Sequence, residues 1–582
     1  MCALNAKFVH TNLALPYLKE MVRDIQDTKI NEYTINMELS HILADIHRGK
    51  YDLVLFSCYI WNIERILKIS NDLKKVNKDI KIVLGGPEVS FETRELMEAN
   101  PYIDYVIAGE GEIAFRDLIE HLQGKKDIDS CKNIFYRKDE SIIETKEQGY
   151  LLENLNEIPS PFMNLKEEDI KNRIVYYESS RGCPFNCYYC LSSTLKGLRF
   201  FDIDRVKQDI KKIIELEAKQ VKFVDRTFNA KKDYAIDLLS YIKEIDNGKI
   251  NFHFEVTAHL MDEDMMDLFK DCREGLFQFE VGVQSTNPKT LEAVGRFKDF
   301  DKLSEVVNRV AKGNNIHQHL DLIVGLPYED YNSFKKSFND VFKLKPEMLQ
   351  IGFLKMLKGS RMKFEAEQYN YVYRNYPPYE VLANDYMSYD EILILKEFEE
   401  IVETYWNSGN FEKAMNHMIK DSYEGFEFTL FEEIRNFYDE NGYFEVSQGR
   451  DANYMILLKF WESKQKDLKQ LRNLLKSDYL RLGRVSSLPQ FLRGQEDWFK
   501  KEMVHELLRN EEFMSKNLPE YKGELPKNLL KHIHMEAFEI KDEFGIDKKI
   551  VGVFDYKKSK DFLGKAWCIE LDFEELKKLC VL

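Results

Sequence analysis

Ser180-Arg181-Gly182-Cys183-Pro184-Phe185-Asn186-Cys187-Tyr188-Tyr189-Cys190 places three thiols in a C-x3-C-x2-C spacing on one short loop, just after a strand-like run at 175–179. Three thiolates supply one ligand each to a four-iron four-sulfur cluster, whereas ferredoxin-type frameworks use four cysteines per cluster, so one iron is left open. The alternative is half of a structural zinc site, which wants four ligands. No second Cys/His pair at finger-like spacing follows: the next candidates, His253 and His259, sit in a different strand-like region.

An open iron beside an aromatic at Tyr189 is the arrangement of the radical S-adenosylmethionine (SAM) enzymes, and this loop closely resembles theirs. The resemblance implies that Cys183, Cys187 and Cys190 bind the cluster. It also implies that SAM chelates the open iron and is cleaved to a 5'-deoxyadenosyl radical. An electron donor such as flavodoxin or ferredoxin is then required.

The chain of 582 residues is too long for one core at ~100–200 residues per domain. Hydrophobic content of 44% beside 32% charged residues is that of a globular protein, with no sign of wholesale disorder. No apolar run is long enough to span a bilayer. The first twenty residues lack a basic start followed by an apolar stretch, so a cytoplasmic protein with no membrane partner is expected. Nine cysteines with one close cluster do not form a disulfide framework. A net charge of -16 argues against nucleic acid as a partner, because phosphate recognition needs a basic face. The arginines from Arg472 to Arg493, including Arg481 and Arg484, are the best candidate for a local basic groove.

Up to about Gly124, short apolar runs alternate with amphipathic segments, as in a parallel sheet flanked by helices. Three loops follow its strands: Ser57-Cys58-Tyr59-Ile60-Trp61-Asn62, Gly85-Gly86-Pro87-Glu88 and Gly109-Glu110-Gly111-Glu112. Ligands in open parallel sheets bind outside the carboxyl ends of the strands, so these loops should converge on one crevice. Ahead of a radical SAM loop, this set resembles the cobalamin-binding domain of cobalamin-dependent radical SAM proteins. The resemblance implies cobalamin contacts from Asn5, His10, Thr11, Ser57, Cys58, Trp61, Gly85, Gly86, Pro87, Glu88, Gly109, Glu110 and Gly111. The Asp-x-His-x-x-Gly motif that gives cobalt a histidine is absent, since Asp45-Ile-His47-Arg-Gly49 is one residue short and helical in pattern. A hydrogen-bonding or structural role is expected for His10. The first strand is short, with only Cys2-Ala-Leu4 before Asn5, which leaves open a late start or a frayed sheet edge.

Ile158-Pro159-Ser160-Pro161 closes a linker, because paired prolines disfavour regular structure. Six strand candidates follow at 175–179, 221–224, 252–256, 276–283, 319–324 and 348–353, matching the partial barrel of radical SAM enzymes. Function in parallel barrels sits at the carboxyl ends of strands. By resemblance Asp225, Asn229, Glu255, Glu280, Gln284, Ser285 and Arg296 hold the ribose, amine and carboxylate of SAM, and Gly325 lies against adenine. The alternative for Glu280 and Arg296 is that they pair with each other to tie a strand to its helix.

A tyrosine-rich run from Tyr369 to Tyr379 precedes mostly helical patterning, with a helix over 392–406, and a small sheet around 550–554 and 566–569. This region resembles the carboxy-terminal domain of unknown function of one subgroup of these proteins. The fold class expected is α/β: a doubly wound Rossmann-like cobalamin-binding domain (1–126), a linker with a small strand insert (127–170), a partial (β/α)6 radical SAM barrel (171–360) and a mostly helical C-terminal domain (361–582). Expected cofactors are a four-iron four-sulfur cluster, SAM and cobalamin. The expected reaction is methylation of an unactivated carbon of an unidentified small-molecule or macromolecular substrate. The alternatives are cobalamin-dependent rearrangement or oxidative cyclisation, or a corrinoid- or redox-binding module without turnover.

Overall fold

In Leu53–Ser57 the residues Val54 and Phe56 point into one apolar core and Leu55 into another, on opposite faces of one strand. Cys2/Ala3/Leu4 and Ile82/Val83/Leu84 alternate in the same way. Strands buried on both faces belong to a parallel sheet covered by helices on each side. In the computed structural model, which describes all residues except 195–196, 297–298, 495–497, 542–544, 559–563 and 581–582, that sheet has seven strands. They are β1 (Cys2–Asn5), β2 (Asn31–Thr34), β3 (Leu53–Ser57), β4 (Lys81–Gly85), β5 (Tyr105–Ile107), β6 (Ile134–Lys138) and β7 (Ser141–Glu144), in the order β2-β1-β3-β4-β5-β6-β7. The first five are parallel, and β6 and β7 add an antiparallel edge from the segment expected to be a linker. The short β1 lies inside the sheet, in register with β2 over all four of its residues, and its edge is not frayed. The order reverses between β1 and β3, which puts the strand-end crevice there.

The second sheet is six-stranded, in the order β15-β14-β13-β12-β11-β8. Its strands are β8 (Ile174–Tyr177), β11 (Gln220–Phe223), β12 (Asn251–Val256), β13 (Phe277–Gln284), β14 (His317–Val324) and β15 (Met348–Phe353). Neighbours from β8 through β14 are parallel. Between β8 and β11, the two-residue strands β9 (Ser180–Arg181) and β10 (Arg199–Phe200) pair antiparallel and form the stem of the cysteine loop.

The chain divides into two compact units, 1–337 with 351–392, and 338–350 with 393–582. The first holds the seven-stranded sheet and the cysteine loop. In the second, Asn407 brackets Leu349 by bonding both its N–H and its carbonyl, at 2.9 Å each. Buried Asp478 accepts the N–H groups of Lys413 and Ala414 at 3.1 and 3.0 Å, satisfying free donors at the start of helix Glu412–Met418. The antiparallel strands Ile533–Lys541, Asp547–Asp555 and Trp567–Asp572 form its sheet. Of the arginines read as a basic groove, three are committed within this unit: Arg481 to Glu412 at 3.3 Å, Arg484 to the Leu530 carbonyl at 2.8 Å and Arg493 to the Leu488 carbonyl at 2.9 Å. No helix among the described residues is long and apolar enough to cross a membrane.

Gly86 sits at φ +113°, and a Cβ there would lie 2.5 Å from the Cys58 carbonyl oxygen. Gly86→Ala should therefore destabilise the first domain by ~2–3 kcal/mol. The expected readout is a lowered melting transition by circular dichroism, with Gly85→Ala, whose Cβ would meet only ordinary contacts at 3.8 Å and beyond and whose φ is not left-handed, far less affected.

Candidate active site

The polar side chains of the second sheet recur every second residue: Asn251, His253 and Glu255 on β12, Gln278 and Glu280 on β13, with Gln284 at its end, and His317, His319 and Asp321 on β14. Period-two alternation turns them all to one face, the barrel lumen. Register pairs Glu255 with Glu280, Glu280 with His319 and Gly282 with Asp321, so the strands present matched rows.

Glu280 accepts from His253 Nε2 at 2.8 Å and from Lys222 Nζ at 3.2 Å. Burial alone would raise its pKa, but those two partners hold it well below the usual carboxylate range. Glu280 does not pair with Arg296. Burial pushes His317 and His319 down to about 4 and about 3, so both are neutral near pH 7. Asp321 is raised well above its ordinary value, first by burial and then by the charges of Glu280 and Glu255. Burial likewise raises Glu255.

Arg296 joins the cysteine loop to the lumen. It donates to Cys187 Sγ at 3.5 Å, to Tyr189 OH at 3.2 Å and to the Gly282 carbonyl. A Cβ on Gly282 would lie 2.3 Å from Gln284 Nε2 and 3.0 Å from Arg296 Nη2, so a side chain there would displace the tips of both. Gln284 adopts φ +76°, a left-handed conformation that costs a non-glycine residue strain. Three buried polar atoms at this junction have no partner: Gln284 Oε1, Arg296 Nε and Asp321 Oδ1. Unsatisfied buried groups are costly and rare, and a polar ligand with donors and acceptors would satisfy them. A nucleoside carrying an amino acid, as SAM does, fits that requirement. Cys183 Sγ lies 3.4 Å from Thr227 Oγ1. No three His, Cys, Asp or Glu side chains among the described residues could hold a single metal ion, which weighs against the zinc alternative. Thiolates that each serve a separate iron need not converge on one point.

Other residues expected to touch SAM make bonds inside the protein. Asp225 accepts from the N–H and hydroxyl of Ser179 at 3.0 and 2.6 Å and from the Ser180 hydroxyl at 2.6 Å, fastening β11 to the end of β8. Asn229 brackets Thr257 through its N–H and carbonyl, both at 2.9 Å. Ser285 donates to Glu329 at 2.6 Å. Gly325, at φ +88°, has its carbonyl capped by Tyr371 OH at 2.8 Å and Asn384 Nδ2 at 2.9 Å.

The first domain's strand ends lie along the open side of the barrel. His10 bonds Tyr176 OH at 2.9 Å, and Thr11 N–H donates to the Ile174 carbonyl at 3.3 Å while Ile174 N–H donates to Val9 at 2.8 Å, so residues 9–11 run beside β8. Asn5 holds that turn by donating to the His10 carbonyl at 3.1 Å. Beyond β15, Glu88 accepts from Tyr379 OH and pairs with Lys358 at 3.3 Å. Pro87 beside it is exposed. Ser57 accepts from Asn12 at 3.2 Å, and Cys58 is buried with its N–H on the Gly85 carbonyl at 2.7 Å. Gly109 donates to Ser90 Oγ at 2.9 Å, and Gly111 starts the next helix by accepting from Phe115. Glu110 takes two bonds from Arg199, at 3.1 and 2.5 Å. Trp61 stacks on Tyr59 at 4.5 Å and stays 46% exposed, with Phe8 77% exposed, so flat apolar surface is left uncovered at the β1 and β3 ends. A large planar macrocycle such as a corrin fits such a surface. His47 is exposed on helix Leu39–Arg48, away from these strand ends.

The sequence reading missed Lys222, His253, His317, His319 and Asp321. Their signal was present in His253-x-Glu255 and His317-x-His319-x-Asp321, polar alternation inside strands that otherwise read as core.

Comparison with known proteins agrees with this architecture. A B12 binding domain model matches residues 2–119, the radical SAM superfamily model 177–341, and a model for a protein of unknown function (DUF4080) 367–551. The chain is thus a cobalamin-binding radical SAM protein with a carboxy-terminal domain of unknown function. An uncharacterized methyltransferase of Pyrococcus horikoshii is 26% identical over 436 residues, 73% of this chain and 92% of that one. The cobalamin-dependent radical SAM methyltransferase TokK of Streptomyces tokunonensis is 26% identical over 311 residues, where the match spans 50% of this chain and 45% of TokK. Among solved structures, the cobalamin-dependent radical enzyme OxsB with aqua-cobalamin and SAM has a TM-score of 0.54 at 15% identity, covering 82% of this chain and 78% of that one. The methyltransferase TsrM of Kitasatospora setae has 0.51 at 16%, covering 63% and 76%. These two likenesses are of fold.

Glu329 is wholly buried between Ser285 and Ser337, and burial raises its pKa to about 7 even though both serines donate to it. A carboxyl raised in the folded state favours folding below its unfolded pKa, and this contribution is lost as pH rises through the folded value. Stability should therefore fall between about pH 4.5 and pH 7, and Glu329→Gln should flatten this dependence by up to about 3 kcal/mol, measured as melting temperature against pH.

Proposed function

We propose that this protein is a cobalamin-dependent radical SAM enzyme that methylates an unactivated carbon. The convergence of three elements carries this reading: the cysteine loop, the unpartnered groups of the lumen beside it, and the first domain's exposed aromatic strand ends along the barrel's open side. When bound, a cluster with one open iron supplies the electron that cleaves SAM to a 5'-deoxyadenosyl radical, and cobalamin supplies a carrier for the methyl group.

The chain's own residues provide the setting. Cys183, Cys187 and Cys190 would hold the cluster, and Arg296 steadies Cys187 and Tyr189 against β13. Gln284, Arg296 and Asp321 offer the unmet acceptor and donor groups that would orient SAM. Lys222 and His253 keep Glu280 ionised and fixed. The neutral histidines His317 and His319 line the deeper lumen without adding charge. The site residues named by resemblance remain part of the proposal as the walls that set these groups.

Supplied anaerobically with iron, sulfide, hydroxocobalamin, SAM and a strong reductant, the protein is expected to yield both 5'-deoxyadenosine and S-adenosylhomocysteine, quantified by mass spectrometry. Cys187→Ala should abolish the deoxyadenosine. Deoxyadenosine without S-adenosylhomocysteine would instead indicate radical rearrangement or cyclisation, and neither product from the wild-type chain would contradict the enzyme reading.

A further inference from the structure

The stem of the cysteine loop carries an electrostatic liability. In the β9–β10 ladder Arg181 stands directly opposite Arg199, and like charges on facing strand positions repel. The ladder has only two residue pairs, Arg181 with Arg199 and Phe200 with Ser180, so backbone bonding alone is a weak clasp. It is also tightly closed: a Cβ on Gly182 would lie 2.0 Å from the Gly197 carbonyl oxygen, so the neck of the loop admits no side chain there.

Three carboxylates surround the two guanidiniums. Glu178, on the same loop, bonds Arg181 Nε at 3.0 Å. The other two come from the first domain, from the loop after β5. Glu110 takes Arg199 bidentately and lies 3.7 Å from Arg181 Nη1, and Glu112 accepts from Arg181 Nη2. Their side chains are 9% exposed and those of the arginines 12–13%, so water screens neither the repulsion nor the attraction well. Glu110 is held ionised: burial would raise its pKa, but the hydrogen bond of Arg199 and the charge of Arg181 bring it below the ordinary value.

We infer that Glu110 and Glu112 of the cobalamin-binding domain are positioning residues for the cluster, closing the stem of the cysteine loop by neutralising Arg181 and Arg199. The Gly-Glu-Gly-Glu stretch, read from sequence as a cofactor loop, thereby couples docking of the first domain to the seating of Cys183, Cys187 and Cys190. The inference rests on the reading that these cysteines bind a four-iron four-sulfur cluster, and the wild-type chain tests that reading separately.

The test is anaerobic reconstitution of the full chain with iron and sulfide, reading iron per chain and the electron paramagnetic resonance spectrum of the reduced cluster. The far-ultraviolet circular dichroism spectrum serves as the folding control. Glu110→Gln should lower iron per chain at least about twofold while the circular dichroism spectrum stays that of the folded wild-type chain. Adding Arg199→Leu to Glu110→Gln should restore iron toward the wild-type value, because removing one guanidinium removes the repulsion that the carboxylate offset. Full iron and an unchanged spectrum in Glu110→Gln would overturn the inference, and so would iron loss that Arg199→Leu fails to rescue. If the wild-type chain itself takes up no cluster, the cluster reading fails first.

Discussion

A six-stranded sheet that curls without closing leaves two open edges, and unpaired strand edges have to be covered. Here the amino-terminal domain covers the gap with the carboxyl ends of its own strands. Residues 9–11 bond the start of β8, Glu110 and Glu112 hold the stem of the cysteine loop, and Glu88 meets Tyr379 and Lys358 beyond β15. Each attachment comes from a different loop of one crevice, after β1, β5 and β4. The ligand-binding side of one sheet thus faces the lumen of the other, and the location of any chemistry follows from that arrangement.

The electrostatics have the same two-domain character. At the lumen, Lys222 and His253 fix Glu280 as an anion, while burial keeps His317 and His319 neutral and disfavours ionisation of Asp321. The interior is polar yet sparsely charged, a setting that can hold a zwitterionic ligand. At the stem, by contrast, two arginines and three glutamates make a dense ion-pair network shared across the domain boundary. Removing one member of such a network exposes the charge of the others.

Much of this was legible in the sequence because it depends on local pattern. The C-x3-C-x2-C loop, the alternation of strands with amphipathic helices and the glycine-bearing strand ends each carry their signal within a few residues. Partnerships were not legible. Glu110, expected to face a cofactor, meets Arg199, which lies 89 residues away. Gly86 packs against the Cys58 carbonyl, and Asp225 accepts from the hydroxyls of Ser179 and Ser180. β6 and β7 extend the first sheet because β5 offers a free edge, a fact that only the assembled topology reveals. The lumen histidines lay between those cases: their period-two placement was visible but was masked by the strongly apolar residues that alternate with them.

In this arrangement the first domain's crevice opens onto the lumen beside the cysteine loop. The most direct test of it is pulsed electron paramagnetic resonance on the full chain carrying cob(II)alamin and the singly reduced cluster. A resolved dipolar coupling between the two spins is expected, lost when cobalamin is omitted. Two independent, uncoupled spectra from a doubly loaded sample would contradict it.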